Sequence, residues 1–358
     1  MSIRKSLNWL SGEENKEDIF DLGDEDFLSR NHHLLTDTQE IIIKNQTLEE
    51  SKIKKYIPLE NQKKTIYEPN TLQGYIGQES AKEQIKTTMK IIKELKPVHL
   101  LINGWAGCGK TLLAKILSKM LRSNFIYKVP EQLQNIDDLI MVINEIQEKK
   151  QLTVFMLDEI HTIDTKLVNI LLPILQDLKY GNCHIRPFVM IGATTDKDKL
   201  VKKQAPLISR FQIKITLEKY NISELETIIK NYKNEIYLKF NIQDKDYKII
   251  AQNSRGIPRE AISLLLKLLV VKDINKVLLQ SDIIKDGLTK IDIKILQTLI
   301  ESNKPIGSNY LSQAVGIPQS DYELIYERYL VEKGYITRTS RGRDIREKGK
   351  EFLKCLNQ

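Results

Sequence analysis

One run of the chain, Gly104-Trp105-Ala106-Gly107-Cys108-Gly109-Lys110-Thr111, has the spacing G-x-x-x-x-G-K-T, and the chemistry that spacing suits is phosphate binding. Glycines let backbone N–H groups face phosphate oxygens, Lys110 neutralises charge on the β/γ-phosphates, and the Thr111 hydroxyl can hold Mg²⁺. A second run, Thr153-Val154-Phe155-Met156-Leu157, is apolar and ends in Asp158-Glu159. Asp158 is placed to hold Mg²⁺ through its water shell and Glu159 to orient or polarise an attacking water. A carboxylate in that position makes the site hydrolytic and not merely nucleotide-binding. A third apolar run ends in Thr194-Thr195. A hydroxyl there can reach the attacking water or the γ-phosphate, although a threonine ending a strand also serves as a plain turn residue.

These groups must be presented by elements of two kinds. Apolar runs at 98–103, 151–157 and 188–193 read as short buried strands, and the stretches 80–95 and 110–121 read as amphipathic helices. Strands alternating with helices predict an α/β fold with a parallel sheet and crossover helices. The phosphate loop then sits between a strand and a helix, the context its pattern requires. Residues 222–279 read as helical, broken at 254–259. From about 286, three short helical patterns lead into an Arg-rich strand-turn-strand. The expected domains are an N-terminal extension (1–65), a P-loop ATPase domain (66–217), a helical lid (218–284) and a C-terminal DNA-binding domain (285–358).

At 358 residues and 41% hydrophobic content the chain can build several cores. A formal charge of +8 permits a polyanionic partner without requiring one. Three cysteines, Cys108, Cys183 and Cys355, form neither a disulfide framework nor a zinc pattern, so a cytoplasmic setting is expected. No apolar run approaches the roughly 20 residues of a membrane span, and the acidic N-terminus does not read as a signal peptide. Within the extension, the acidic stretch 13–28 is interrupted by Ile19, Phe20, Leu22, Phe27 and Leu28. It reads either as a disordered solvated tail or as a docking motif for a protein partner.

From about 67 to 345 the sequence resembles an AAA+ family, the bacterial Holliday-junction branch-migration motor RuvB. The resemblance rests on Tyr75-Ile76-Gly77-Gln78, the P-loop, Asp158-Glu159-Ile160-His161, Ile191-Gly192-Ala193-Thr194-Thr195, Pro206-Leu207-Ile208-Ser209-Arg210-Phe211 and Ser254-Arg255-Gly256-Ile257-Pro258-Arg259. Its most specific part is the string from Tyr329 to Arg343, which is similar to that family's winged helix. The resemblance implies an AAA+ P-loop NTPase with a helical lid and a winged-helix domain, using ATP and Mg²⁺. It implies Ile76 and Gly77 in the adenine pocket with Tyr220 nearby. Gly104, Gly107, Cys108, Gly109, Lys110, Thr111 and Leu112 would line the phosphates. Thr111 and Asp158 become metal residues and Thr194 a sensor. Arg210 becomes an arginine finger acting on a neighbouring subunit, and Arg259 a lid sensor. Arg338 and Arg343, with Arg341 beside them, become DNA-phosphate contacts. A homo-oligomeric, hexameric ring is implied too.

Departures from that family are visible. Glu68 stands before Pro69 where the family has Arg, Gln176-Asp177-Leu178 replaces an acidic-aromatic triplet, Gln319 falls where a base is expected, and the P-loop reads Trp-Ala-Gly-Cys. Between Asp177 and Phe188 the family inserts a long β-hairpin that docks on its partner RuvA, and the residues here are too few for it. The basic stretch 333–350 is expected to form the wing, giving salt-dependent, sequence-independent DNA affinity. Two functions stay open: an ATP-driven motor on branched or duplex DNA in recombination and repair, or a loader that remodels a replication or recombination protein.

Overall fold

The computed structural model describes residues 68–237 and 239–356. The extension 1–65 and, within it, the stretch 13–28 read as a tail or docking motif lie outside the described residues.

The central sheet has five parallel strands: β1 (Leu100–Gly104), β2 (Asn124–Lys128), β3 (Thr153–Leu157), then β6 (Val189–Thr194) and β7 (Ile213–Leu217). Their order across the sheet is β2-β3-β6-β1-β7. Alternation explains why the inner strands are apolar throughout. Leu100 and Ile102 of β1, with Val154 and Met156 of β3, face one core beside helix α2 (Lys110–Leu121). Leu101, Phe155 and Leu157 face the other core with helices α3 (Ile136–Glu148), α4 (Thr165–Asp177) and α5 (Lys197–Ile208). A parallel strand buried on both faces needs no polar alternation. Helix α1 (Glu79–Glu94) packs on the first of these cores, and the lid joins that same core through Leu225, Ile229, Leu264 and Leu265.

The sequence places α2 at its observed bounds and puts α1, β1, β3 and β6 within two residues. Between α4 and β6 the described residues hold no long hairpin. A minimal one remains, with strands β4 (Lys179–Tyr180) and β5 (Cys183–His184) of two residues each. The turn at Gly181, φ 57, needs a left-handed residue, and all four strand residues are exposed.

The lid contains α6 (Ile222–Ile236), α7 (Asp244–Asn253), α8 (Pro258–Val271) and α9 (Ile274–Gln280). Pro258 opens α8, where a missing N–H costs nothing. A short β8 (Ile283–Lys285) and β9 (Leu288–Thr289) lead into the terminal domain of α10 (Lys290–Ser302), α11 (Ser308–Val315), α12 (Gln319–Asp321) and α13 (Arg328–Glu332). Between α12 and α13 the backbone stays helical but takes the π form over Tyr322–Glu327. Strands β10 (Ile336–Thr339) and β11 (Gly342–Ile345) form the wing, and α14 (Glu347–Leu356) closes the chain's described part. This domain has its own core of Leu296, Leu311, Tyr322, Leu330 and Ile336. It is tied to the lid by Arg255, which pairs with the fully buried Asp292 and donates from Nε to the Gly287 carbonyl at 2.8 Å.

Candidate nucleotide site and DNA interface

The carboxyl ends of β1, β3 and β6 lie side by side, so the P-loop, Asp158-Glu159 and Thr194 converge at one edge of the sheet. Register pairs Asn103 with Thr194 and Leu157 with Gly192. A cavity of about 530 Å³ opens there. Its walls include Ile76, Gly107, Cys108, Gly109, Lys110, Thr111, Leu112, Asp158, Glu159, Tyr220 and Arg259 from the sequence-derived set. Gly77 and Gly104 are not among its walls: a Cβ on Gly77 would meet the Glu224 carboxylate at 2.6 Å, and one on Gly104 would meet Leu217 at 3.0 Å.

The loop is shaped for an anion. Gly107 and Gly109 have φ of 80 and 95, a region that side chains rarely adopt. A Cβ at Gly107 would meet Arg259 Cβ at 2.7 Å, and one at Gly109 would meet the Tyr75 hydroxyl at 2.8 Å. Lid and P-loop therefore touch through glycine. Tyr75 and Tyr220 both donate to the Cys108 carbonyl, at 3.3 and 3.2 Å. Burial pushes Tyr220 up to about 12 and the Cys108 thiol up to about 11, so both stay neutral and structural. Lys110 is buried and donates to the Gly104 and Trp105 carbonyls at 3.0 and 3.2 Å. Burial lowers its pKa while Glu159 and Asp158 oppose that shift. A cation so desolvated is poised to accept an anionic ligand.

The acid pair divides its work. Asp158 Oδ2 accepts from Thr111 Oγ1 at 3.1 Å and from the Tyr127 hydroxyl at 3.3 Å. Glu159 adopts φ 46, a strained backbone for this residue type. Its Oε2 accepts from Thr195 N at 3.0 Å and Thr195 Oγ1 at 2.8 Å, with His161 Nδ1 3.3 Å away. Burial raises its pKa, but the hydrogen bonds from His161 and Thr195 and the charge of Lys110 outweigh that and hold it down to about 2. Thr194 is buried, with its hydroxyl 3.0 Å from the same His161 Nδ1. Neither Thr195 nor His161 had a role by sequence. The paired threonines at the end of β6 were the available signal, and which one meets Glu159 depends on the fold. Glu68, the acid that departs from the family, lines the cavity and pairs with Lys115 of α2 at 3.0 Å.

Arg210 lies after α5, outside the walls of this cavity, with its Nε buried and unpartnered among the described residues. Its NH1 donates to Ser209 Oγ at 3.0 Å.

The wing is shorter than the basic stretch 333–350 suggests. It ends at Ile345, and α14 begins at Glu347, so Lys348 and Lys350 belong to a helix. Lys348 donates to the Lys333 carbonyl at 2.8 Å, and Lys350 pairs with Glu347. Arg338 and Arg343 face each other across β10 and β11. Both grip Glu327, whose carboxylate is fully buried. Arg343 meets Oε1 and Oε2 at 3.0 Å each, and Arg338 Nε meets Oε1. Arg341, at the turn, is exposed and has no ion-pair partner among the described residues.

Fold and site together define an ATP-hydrolysing P-loop protein with a helical lid and a winged helix. The model of the Holliday junction DNA helicase RuvB P-loop domain matches residues 67–217, and that of the RuvB C-terminal winged helix domain matches 285–354. The Holliday junction branch migration complex subunit RuvB of Ehrlichia ruminantium is 32% identical over 320 residues, covering 82% of this chain and 94% of that protein. The Thermotoga maritima protein of the same name is 31% identical, covering 80% and 91%. The solved Thermotoga maritima RuvB Holliday junction branch migration motor superposes with a TM-score of 0.71, covering 80% of this chain and 97% of that one. The chain belongs to the RuvB family. No helix among the described residues is long and apolar enough to cross a membrane.

Proposed function

We propose that this chain is a ring-forming motor that spends ATP to move branched or duplex DNA in recombination and repair. The carrying observation is that one compact unit joins a complete hydrolytic P-loop site to a winged helix with an exposed arginine at its tip.

Within the site, Lys110 is positioned to leave the Gly104 and Trp105 carbonyls for the β/γ-phosphates, which replace two neutral acceptors with full charge. The residues present fit Mg²⁺: one carboxylate and one hydroxyl 3.1 Å apart beside the phosphate loop suit an ion that keeps waters and phosphates as its other ligands. When bound, the ion would neutralise developing phosphate charge, with Thr111 and Asp158 holding it. Glu159 orients the attacking water. Thr194 reads the γ-phosphate, Arg259 reads it from the lid, and Ile76 contacts the adenine.

Arg210 does not line the cavity of its own chain, which supports a role on a neighbouring subunit's nucleotide in a hexameric ring. On DNA, Arg341 and the exposed Arg338 contact phosphate, whereas Arg343 contributes the field and shape of the wing. The resemblance that implied a RuvA-type partner also implied a long docking hairpin, and β4–β5 is a stub. Recruitment then falls to the wing, or to a different protein held by the extension 1–65.

The test is steady-state ATP hydrolysis with single-stranded, duplex and four-way DNA. Duplex or four-way stimulation supports the motor. Stimulation that appears only with an added replication or recombination protein supports the loader instead.

A further inference from the structure

Glu327 and Arg328 are consecutive residues where the π-helical stretch meets α13, and they serve different domains. Glu327 holds the wing through Arg338 and Arg343. Arg328 leaves the winged helix altogether. Its guanidinium carbon lies 3.9 Å from the centroid of the Trp105 ring, in the P-loop, and its NH1 donates to the Thr195 carbonyl at 3.2 Å. Lys219 sits 3.8 Å from the same ring and pairs with Glu332 of α13 at 2.7 Å, so Trp105 is the seat of two cations. An arginine over an indole face combines stacking with charge–quadrupole attraction, and the free N–H groups remain available for a hydrogen bond.

Thr195 is the link to chemistry. Its carbonyl takes the Arg328 bond, while its N–H and hydroxyl both go to Glu159 Oε2. With His161 also beside it, that oxygen has three neighbours and is committed to the end of β6. A contact path thus runs from the wing arginines to Glu327, along one residue to Arg328, to Thr195 and to Glu159. Every step is a hydrogen bond, an ion pair or a peptide unit.

We propose that Arg328 is a positioning residue that holds Glu159 in a resting orientation through Thr195, and that DNA bound at the wing relaxes this hold. The inference rests on the DNA-motor reading. Phosphate arriving at Arg338, whose side chain is 58% exposed, competes with Glu327 for the same donor. The segment carrying Glu327 is π-helical, and such a stretch is a place where a helix can change register locally. A small movement there shifts Arg328 relative to Trp105 and Thr195, because residues 327 and 328 share a peptide. The carboxylate of Glu159 is then free to turn toward the phosphates.

The test uses the full chain carrying Trp9→Phe, which leaves Trp105 as the one tryptophan of the two in the sequence. Arg328→Ala and Arg328→Lys are compared with this parent for ATP hydrolysis, duplex binding and Trp105 emission. For Arg328→Ala, kcat without DNA is expected to rise by about fivefold or more toward the parent's DNA-stimulated value. Its KM for ATP stays within about twofold, and its affinity for duplex is equal or higher, since a hold that DNA must relax also opposes DNA. Added DNA raises its rate little further. Its Trp105 emission already matches the DNA-bound parent and does not respond to DNA. Arg328→Lys keeps a cation on the ring and one donor, and restores the low basal rate.

A basal kcat that is unchanged or lower in Arg328→Ala overturns the proposal, as does a parent-like emission response. Loss of duplex affinity in parallel with the lost response also overturns it, by assigning Arg328 to DNA. If duplex leaves the parent's hydrolysis unchanged, the motor reading is what fails. The basal rate of Arg328→Ala still decides whether the Thr195 contact restrains Glu159.

Discussion

Arg341 and Arg343 stand two residues apart on the wing, yet the structure predicts opposite phenotypes for their loss. Arg343 is 21% exposed and fork-bonds a carboxylate that is 0% exposed. Arg343→Ala removes two charge-assisted hydrogen bonds at 3.0 Å and leaves Glu327 with Arg338 alone. Deleting one partner of a buried pair costs about 3–5 kcal/mol, and the surviving Arg338 reduces that to roughly 2 kcal/mol. For a domain of this size ~2 kcal/mol corresponds to a fall of about 10 °C in the midpoint of its unfolding transition. Arg341 stabilises nothing visible in the fold, so Arg341→Ala shifts that midpoint by at most the equivalent of about 0.5 kcal/mol. It should instead lower the slope of log affinity against log salt by about 0.9, one phosphate contact. Calorimetry of the full chain and fluorescence anisotropy on a duplex, titrated with salt, read the two quantities separately. Wild-type thermal stability in Arg343→Ala, together with a salt slope lowered as in Arg341→Ala, would show that Glu327 does not anchor the wing.

Lys110→Ala removes the phosphate's main compensating charge and should reduce ATP binding below detection in a filter or fluorescent-nucleotide assay; retained binding would mean that the backbone cradle suffices. Doping Arg210→Ala subunits into wild type should depress ATP hydrolysis more steeply than dilution, because a finger acting across subunits is worth on the order of 10³-fold in rate; strictly proportional loss would show that each subunit hydrolyses alone. His99 is buried, with Nδ1 accepting from Met190 N and Nε2 facing the Leu175 carbonyl, and burial lowers its pKa to about 4. The unfolded chain therefore binds the proton first, so stability is full above about 6.5 and falls as pH drops toward 4, by up to about 3 kcal/mol. His99→Gln should flatten that acid limb in denaturant titrations, and an unaltered limb would point to other groups.

The legible parts of this molecule are those written in adjacent residues. The P-loop, the Asp158-Glu159 pair and the bounds of α2 come from spacing and periodicity over short windows. The apolar runs named β3 and β6 were equally clear, because strands buried on both faces show no polar interruption. Illegible were contacts that need the fold. Thr195 meets Glu159 across 36 residues, and Arg328 meets Thr195 across 133. Charge density misled at the C-terminus. Arg346, Lys348 and Lys350 read as a continuation of the wing, while Phe352 and Leu353 pack α14 into the terminal core and make that stretch a helix. The pairing of Arg343 with Glu327, 16 residues earlier, was invisible for the same reason. What stands in place of the long docking hairpin was not legible either: a left-handed Gly181 lets two strands of two residues pair.

The claim at the centre is that hydrolysis at the Asp158-Glu159 site moves DNA. It is met most directly by following a synthetic four-way junction, labelled on one arm, with the purified full chain, ATP and Mg²⁺ and no added RuvA-type protein. The wild type is expected to convert the junction to duplex products in an ATP-dependent reaction. Glu159→Gln is expected to bind both ATP and the junction without converting it. Failure of the wild type to convert a junction that stimulates its ATP hydrolysis, or conversion by Glu159→Gln, would contradict the claim.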